Sequence, residues 1–167
     1  MTQSDPGSPP PPPEGYDPAS EEVMGAMSRG LGIRIAAWRE GFGAVEMPIS
    51  ERVINRQGVV HGGAIATLID TAAGYAVCYC PYPGRRRNAF TLSLTTNYLS
   101  AGRDGILRAE AWITGGGAAV KFVDAKVIGE SAGLIATATG VFRLRSDSLT
   151  LYGAPRDPIV SDPGANV

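Results

Sequence analysis

Val60-His61-Gly62-Gly63-Ala64-Ile65-Ala66-Thr67-Leu68-Ile69-Asp70-Thr71 opens the most apolar stretch of the chain, which continues to Cys80. Two glycines start it, small and branched apolar residues fill it, and Asp70 is the only charge between His61 and Arg85. A membrane-spanning helix needs about 20 apolar residues and tolerates a central carboxylate poorly. The stretch therefore reads as a helix over 62–77 that is buried in protein.

Outward from that helix the pattern changes. After the loop Pro81-Tyr82-Pro83-Gly84 and three arginines, the hydrophobic period becomes two. Phe90, Leu92, Leu94, Thr96 and Tyr98 alternate with Thr91, Ser93, Thr95 and Asn97, as along a strand. Residues 106–114, 119–128 and 134–145 continue the alternation, separated by turn-formers such as Gly115-Gly116-Gly117. Upstream, 33–39 and 44–49 are extended in character and joined by Glu40-Gly41-Phe42-Gly43, which predicts a hairpin. Asp17-Pro18-Ala19-Ser20-Glu21-Glu22 has N-cap candidates, an early proline and early acids, so a short helix is expected over 18–29. Val23, Met24 and Met27 would form its apolar face. A lone apolar helix beside one antiparallel sheet predicts an α+β fold in which the sheet wraps the helix. The sheet edges would invite pairing with a second subunit.

The 167 residues fit one domain, 18–145, between a proline-rich tail at 1–17 and a loose polar tail at 146–167. A single histidine excludes a multi-His metal site. Cys78 and Cys80 are too few for a disulfide framework or a metal cluster. A net charge of −1 offers no footprint for nucleic acid. The N-terminus has no basic region followed by an apolar one, so it does not read as a secretory signal. A soluble, cytoplasmic protein that binds neither membrane nor nucleic acid is expected.

Chemistry concentrates around the helix. Gly62 and Gly63 at its start leave backbone N–H groups without intrahelical partners, at the positive end of the dipole. Such groups suit a polarised carbonyl oxygen or an anion, although paired glycines equally serve tight packing. Asp70 is costly on an apolar helix unless it is paired or functional. It reads either as a nucleophile or general base, or as a structural acid held by an arginine or backbone amides. His61 and Asp70 lie nine residues apart, about 13.5 Å along the helix and on opposite faces. One chain cannot bring them together, so a site using both must be assembled across a subunit interface. Arg85, Arg86 and Arg87 read as a solvated loop or as a phosphate contact. Cys78 and Cys80 read as packing residues.

These residues resemble the hotdog-fold acyl-CoA thioesterases, in particular the phenylacetate-pathway (PaaI-type) branch. The resemblance rests on Val60-His61-Gly62-Gly63, Leu68-Ile69-Asp70-Thr71, Thr91-Leu92-Ser93-Leu94 and Asn97-Tyr98-Leu99. Gly105-Ile106-Leu107-Arg108-Ala109 and Leu134-Ile135-Ala136 extend it, so that it covers about 18–145. It implies homodimers, often paired into homotetramers, that hydrolyse an acyl-CoA thioester with no metal or other cofactor. By position, Asp70 matches the carboxylate that attacks the thioester or activates a water. Gly62 matches the residue whose N–H, from the opposite subunit, polarises the carbonyl. Asn55 matches a group that places the water or the carboxylate, His61 one that orients near the thioester sulfur, and Thr91 a hydroxyl that assists the acid. Gly63 and Thr71 fall among substrate contacts, and Arg85, Arg86 and Arg87 among candidate contacts to the CoA phosphates. One departure is the run Gly117-Ala118-Ala119, where relatives carry a basic residue. A non-catalytic acyl-CoA-binding or regulatory hotdog module is the alternative from another class. A hotdog hydratase or dehydratase is disfavoured, because the only histidine lies at the helix start.

Overall fold

In the computed structural model, which describes residues 9–156, the helix decides the architecture. α2 (Gly62–Cys78) begins where the His61 Nδ1 accepts the Gly63 N–H at 2.9 Å, an N-cap. It ends just ahead of Cys80-Pro81, where the residue before a proline avoids helical backbone. Ala64, Ile65, Leu68, Ile69, Ala72, Ala73, Ala76 and Val77 form its buried face. Asp70, Thr71, Gly74, Tyr75 and Cys78 lie on the opposite side.

The buried face lies on one six-stranded antiparallel sheet. The strands are β1 (Arg34–Arg39), β2 (Phe42–Pro48), β4 (Ala89–Tyr98), β5 (Ile106–Gly116), β6 (Val120–Gly129) and β7 (Gly133–Leu144). Their order is β1-β2-β5-β6-β7-β4. Alternate residues point to the helix: Leu107, Ala109 and Ala111 of β5 are fully buried, whereas Arg108 and Glu110 face outward. Leu68, Ile69, Met47, Leu107, Ile135 and Phe142 anchor the core, each side chain contributing about 1.5–3 kcal/mol by leaving water. The expected α+β architecture, a single antiparallel sheet on one long apolar helix, is present.

Glycine sets the closest approach between the layers. An ideal Cβ on Gly43 of β2 would sit 2.4 Å from the Ala72 carbonyl oxygen and 2.8 Å from the Ala76 nitrogen. Gly43 therefore belongs to the sheet–helix contact. The turn itself is Glu40-Gly41, with Gly41 at φ +69°.

Two expectations outside the sheet are corrected. The helix expected over 18–29 is a 3-10 turn at Pro18–Glu21 and a short α1 (Ala26–Gly30), parted by extended backbone at Glu22. The Glu21 carbonyl, which a longer helix would use, instead accepts a hydrogen bond from Arg156 at 3.0 Å. Val23 and Met27 are 51% and 66% exposed, so of the predicted apolar face only Met24 packs against the core. The second correction concerns the stretch after Leu144, which is packed as far as Arg156. Ser148 is fully buried, and its hydroxyl accepts the Asn88 N–H. β8 (Ala154–Pro155) pairs with β3 (Arg85–Arg86), and Tyr152 meets Tyr82 edge to face. Residues 9–17 hold no helix or strand, and the rest of both expected tails, 1–8 and 157–167, lies outside the described residues. No helix among the described residues is long and apolar enough to cross a membrane.

Candidate active site

Two clusters of the expected residues form at the two ends of β4. At its start, the Thr91 hydroxyl donates to Asp70 Oδ1 at 2.7 Å. Asp70 projects from the third turn of α2 and is half-buried. Asp70, Thr71 and Thr91 border a cavity of about 680 Å³, whose wall continues along Trp38, Gly74, Tyr75 and Cys78. A volume in the range of about 300–1,000 Å³ is typical of small-molecule sites. The Thr71 hydroxyl is committed to its own helix, donating to the Thr67 carbonyl at 2.7 Å.

At the other end of β4, the Tyr98 hydroxyl donates to the Gly62 carbonyl at 3.1 Å. The ring of Tyr98 lies 3.5 Å from where a Gly62 Cβ would sit. Because His61 Nδ1 accepts the Gly63 N–H, the ring carries its proton on Nε2. The first-turn amides then divide. The Gly63 N–H is spent on His61, and those of Ala64 and Ile65 reach the His61 carbonyl. Among the described residues, the Gly62 N–H alone in this turn has no acceptor. Asn55 stands in the preceding loop, where its Oδ1 accepts from Gln57 N at 2.8 Å and Val59 N at 3.4 Å. Its carbonyl is thus used to shape the loop, which leaves the amide NH2 to donate. Gly62 and Asp70 are separated by two turns of unbroken helix, about 12 Å along its axis. The structure therefore unites Asp70 with Thr91 and His61 with Gly62 and Gly63, but keeps the two groups apart.

The profile of the thioesterase superfamily matches residues 57–136, which include both clusters. A Halobacterium salinarum protein provisionally described as an esterase is 34% identical over 101 residues, 59% of this chain and 66% of its own. The acyl-coenzyme A thioesterase PaaI of Escherichia coli is 39% identical over 51 residues, 30% of this chain and 36% of that one. The match thus spans two thirds or less of each of these curated relatives. A solved structure, of a conserved protein from Pseudomonas aeruginosa, superposes with a TM-score of 0.68 at 31% identity. That likeness covers 77% of this chain and 100% of that one. Residues 57–136 belong to the thioesterase superfamily. The fold of the chain is the hotdog fold, and part of the chain is similar to PaaI.

Within this thioesterase fold, the arginine loop is not what the sequence suggests. Arg85 donates to the carbonyls of Tyr152 and Gly153, at 2.7 Å each, and lies over the Tyr152 ring. Arg87 donates to the carbonyls of Ser148 and Tyr79. Both guanidinium groups are tied to backbone carbonyls, which corrects the solvated-loop reading for them. Arg86 pairs with β8 through its backbone and borders the cavity.

Other walls of the cavity were missed. Trp38 donates its indole N–H to the Tyr75 carbonyl at 2.7 Å and meets the Tyr75 ring edge to face. Glu22 and Arg156, paired at 3.1 Å, bring in the N-terminal and C-terminal segments. Burial, reinforced by Glu22, holds the Tyr75 phenol well above its ordinary range. Burial also pushes the Cys78 thiol up to about 12. A thiol that stays protonated is a poor nucleophile, which agrees with the packing reading of Cys78. Tyr98 had a signal, since it closes the alternating run of β4. Glu22 and Arg156 had none, because they lie 134 residues apart in sequence. Among the described residues, no three His, Cys, Asp or Glu side chains gather to hold a metal ion.

Proposed function

We propose that the chain hydrolyses acyl-CoA thioesters to a free acid and CoA, with Asp70 as general base or nucleophile. The observation that carries this reading is the Asp70 carboxylate, held by the Thr91 hydroxyl at the wall of a cavity sized for an acyl group. In either role the carboxylate needs a fixed direction, which the Thr91 hydrogen bond supplies. The Gly62 N–H is the polarising group, a donor at a helix N-terminus with no acceptor among the described residues. As water activated by Asp70, or the Asp70 carboxylate itself, bonds to the carbonyl carbon, the N–H stabilises the charge that builds on the oxygen. That charge returns to re-form the carbonyl as the C–S bond breaks and the CoA thiolate departs. His61 Nε2–H is available to orient the sulfur, and the Asn55 amide to place water or the carboxylate. Gly63 and Thr71 add contacts beside them.

Two subunits supply one site. β4 is one of the two edge strands, with Phe90 and Leu92 more than half exposed. Asp70 and Thr91 sit at the start of β4, Gly62 and Tyr98 at its end. A two-fold partner paired antiparallel along β4 would set the start of one strand against the end of the other. Each Asp70 then faces a Gly62 of the second copy. A homodimer, alone or paired into a tetramer, follows. The two free cysteines suit a reducing compartment such as the cytoplasm.

The test is Asp70→Asn, assayed by thiol release from a panel of acyl-CoAs. Turnover is expected to fall at least about 10³-fold with the circular dichroism spectrum and melting temperature retained. Wild-type-like turnover would remove Asp70 from the mechanism. A wild-type protein that binds acyl-CoA but releases no thiol from any member of the panel would instead make the chain a binding module.

A further inference from the structure

Among the described residues of one chain, nothing requires glycine at position 74. It lies inside α2, its φ is not positive, and an ideal Cβ placed on it meets none of those residues within 4 Å. Glycine inside a helix is destabilising relative to alanine, because its backbone loses more freedom on ordering. At Gly43 a close approach explains the missing side chain. At Gly74 no described neighbour does. What the absent side chain leaves is space, and that space belongs to the cavity.

The position of that space is informative. Gly74 is one turn beyond Asp70 and one turn short of Cys78, and all three border the cavity. These intervals are about 6 Å each along the helix. Trp38 and Tyr75 supply the apolar part of the wall beside the path, which the paired Glu22 and Arg156 also border. An acyl group whose carbonyl carbon is held at Asp70 would run over the bare backbone of Gly74 towards Cys78. A side chain there would stand in its way.

We propose that Gly74 is the specificity-determining residue of the acyl chamber, admitting acyl groups longer than one helical turn, of medium chain length. This rests on the reading of Asp70 as the reacting carboxylate. Acetyl groups would end before Gly74, whereas hexanoyl to decanoyl groups would pass over it.

The experiment measures kcat/KM for acetyl-, butyryl-, hexanoyl-, octanoyl- and decanoyl-CoA with wild type, Gly74→Ala and Gly74→Leu. The octanoyl-to-acetyl ratio is expected to fall about threefold to tenfold in Gly74→Ala and at least about thirtyfold in Gly74→Leu. Gly74→Ala should also melt about 2–4 °C higher, so its loss cannot come from unfolding. An equal fall at every chain length, or no fall, overturns the role of Gly74 while leaving thioester hydrolysis in place. A wild-type enzyme that turns over no acyl-CoA overturns the underlying reading and this inference with it.

Discussion

Gly43 and the arginines at 85 and 87 are fixed by neighbours that no local pattern announces. For Gly43 the neighbour is the α2 backbone at Ala72 and Ala76. Gly43→Ala should cost at least about 2 kcal/mol, because backbone atoms cannot swing aside as a side chain can. Urea unfolding measures this, and an unchanged midpoint would mean that helix and sheet separate freely. The sequence placed Gly43 in the hairpin turn, since a glycine next to Glu40-Gly41 looks local. Arg85 and Arg87 were misread for the same reason. Three of their four carbonyl acceptors, at Ser148, Tyr152 and Gly153, are more than 60 residues away. Asp70, Gly62 and His61 were legible because their signals are local: a lone charge on an apolar helix, and a cap followed by two glycines.

At the level of elements, periodicity carried most of the information. The expected helix over 62–77 ends one residue short of the observed Cys78, and the strands match within a few residues. Periodicity failed at 18–29, where a distant arginine takes the carbonyl that a helix needs, and after Leu144, where order comes from side chain to backbone bonds. It also could not show how the strands are tied on their outer face. There Arg34, Glu46, Arg108, Glu110 and Lys126 form a ladder across β1, β2, β5 and β6. The hydrogen bond from Arg34, then that from Arg108, holds the Glu46 carboxyl below its ordinary value. Arg108 and then Lys126 do the same for Glu110. An acid lowered by folding stabilises the fold above its unfolded value and loses that contribution as pH falls through the folded one. The stability gap between wild type and a Glu46→Gln, Glu110→Gln variant should therefore be widest near about pH 7. It should close below about pH 4.5. Urea midpoints across that range measure it, and a gap independent of pH would exclude the ladder as its source.

For the whole molecule, the spacing of the two clusters makes a prediction about mixed subunits. Gly62 is the first residue of α2, where proline is well tolerated, and His61 already has the extended backbone that precedes proline. Gly62→Pro removes the N–H with little other change. Asp70→Asn and Gly62→Pro should each be inactive as homodimers. Unfolded together and refolded at equal amounts, half of the dimers pair unlike chains, and one of the two sites in each is intact. Recovery of about one quarter of wild-type activity is expected. A mixture as inactive as its parents would place both groups within one chain.

The ion pair between Glu22 and Arg156 joins two stretches that lie outside residues 57–136, the part shared with the superfamily. Asp70, Thr91 and Gly62 lie inside it. The chemistry and the far wall of its chamber therefore occupy separate tracts of the gene, free to diverge at different rates. Substitutions near either terminus can reshape the chamber without disturbing the helix that bears the carboxylate. Resemblance across the shared tract then traces the inheritance of the reaction, while the taste for one acyl group over another is inherited partly elsewhere.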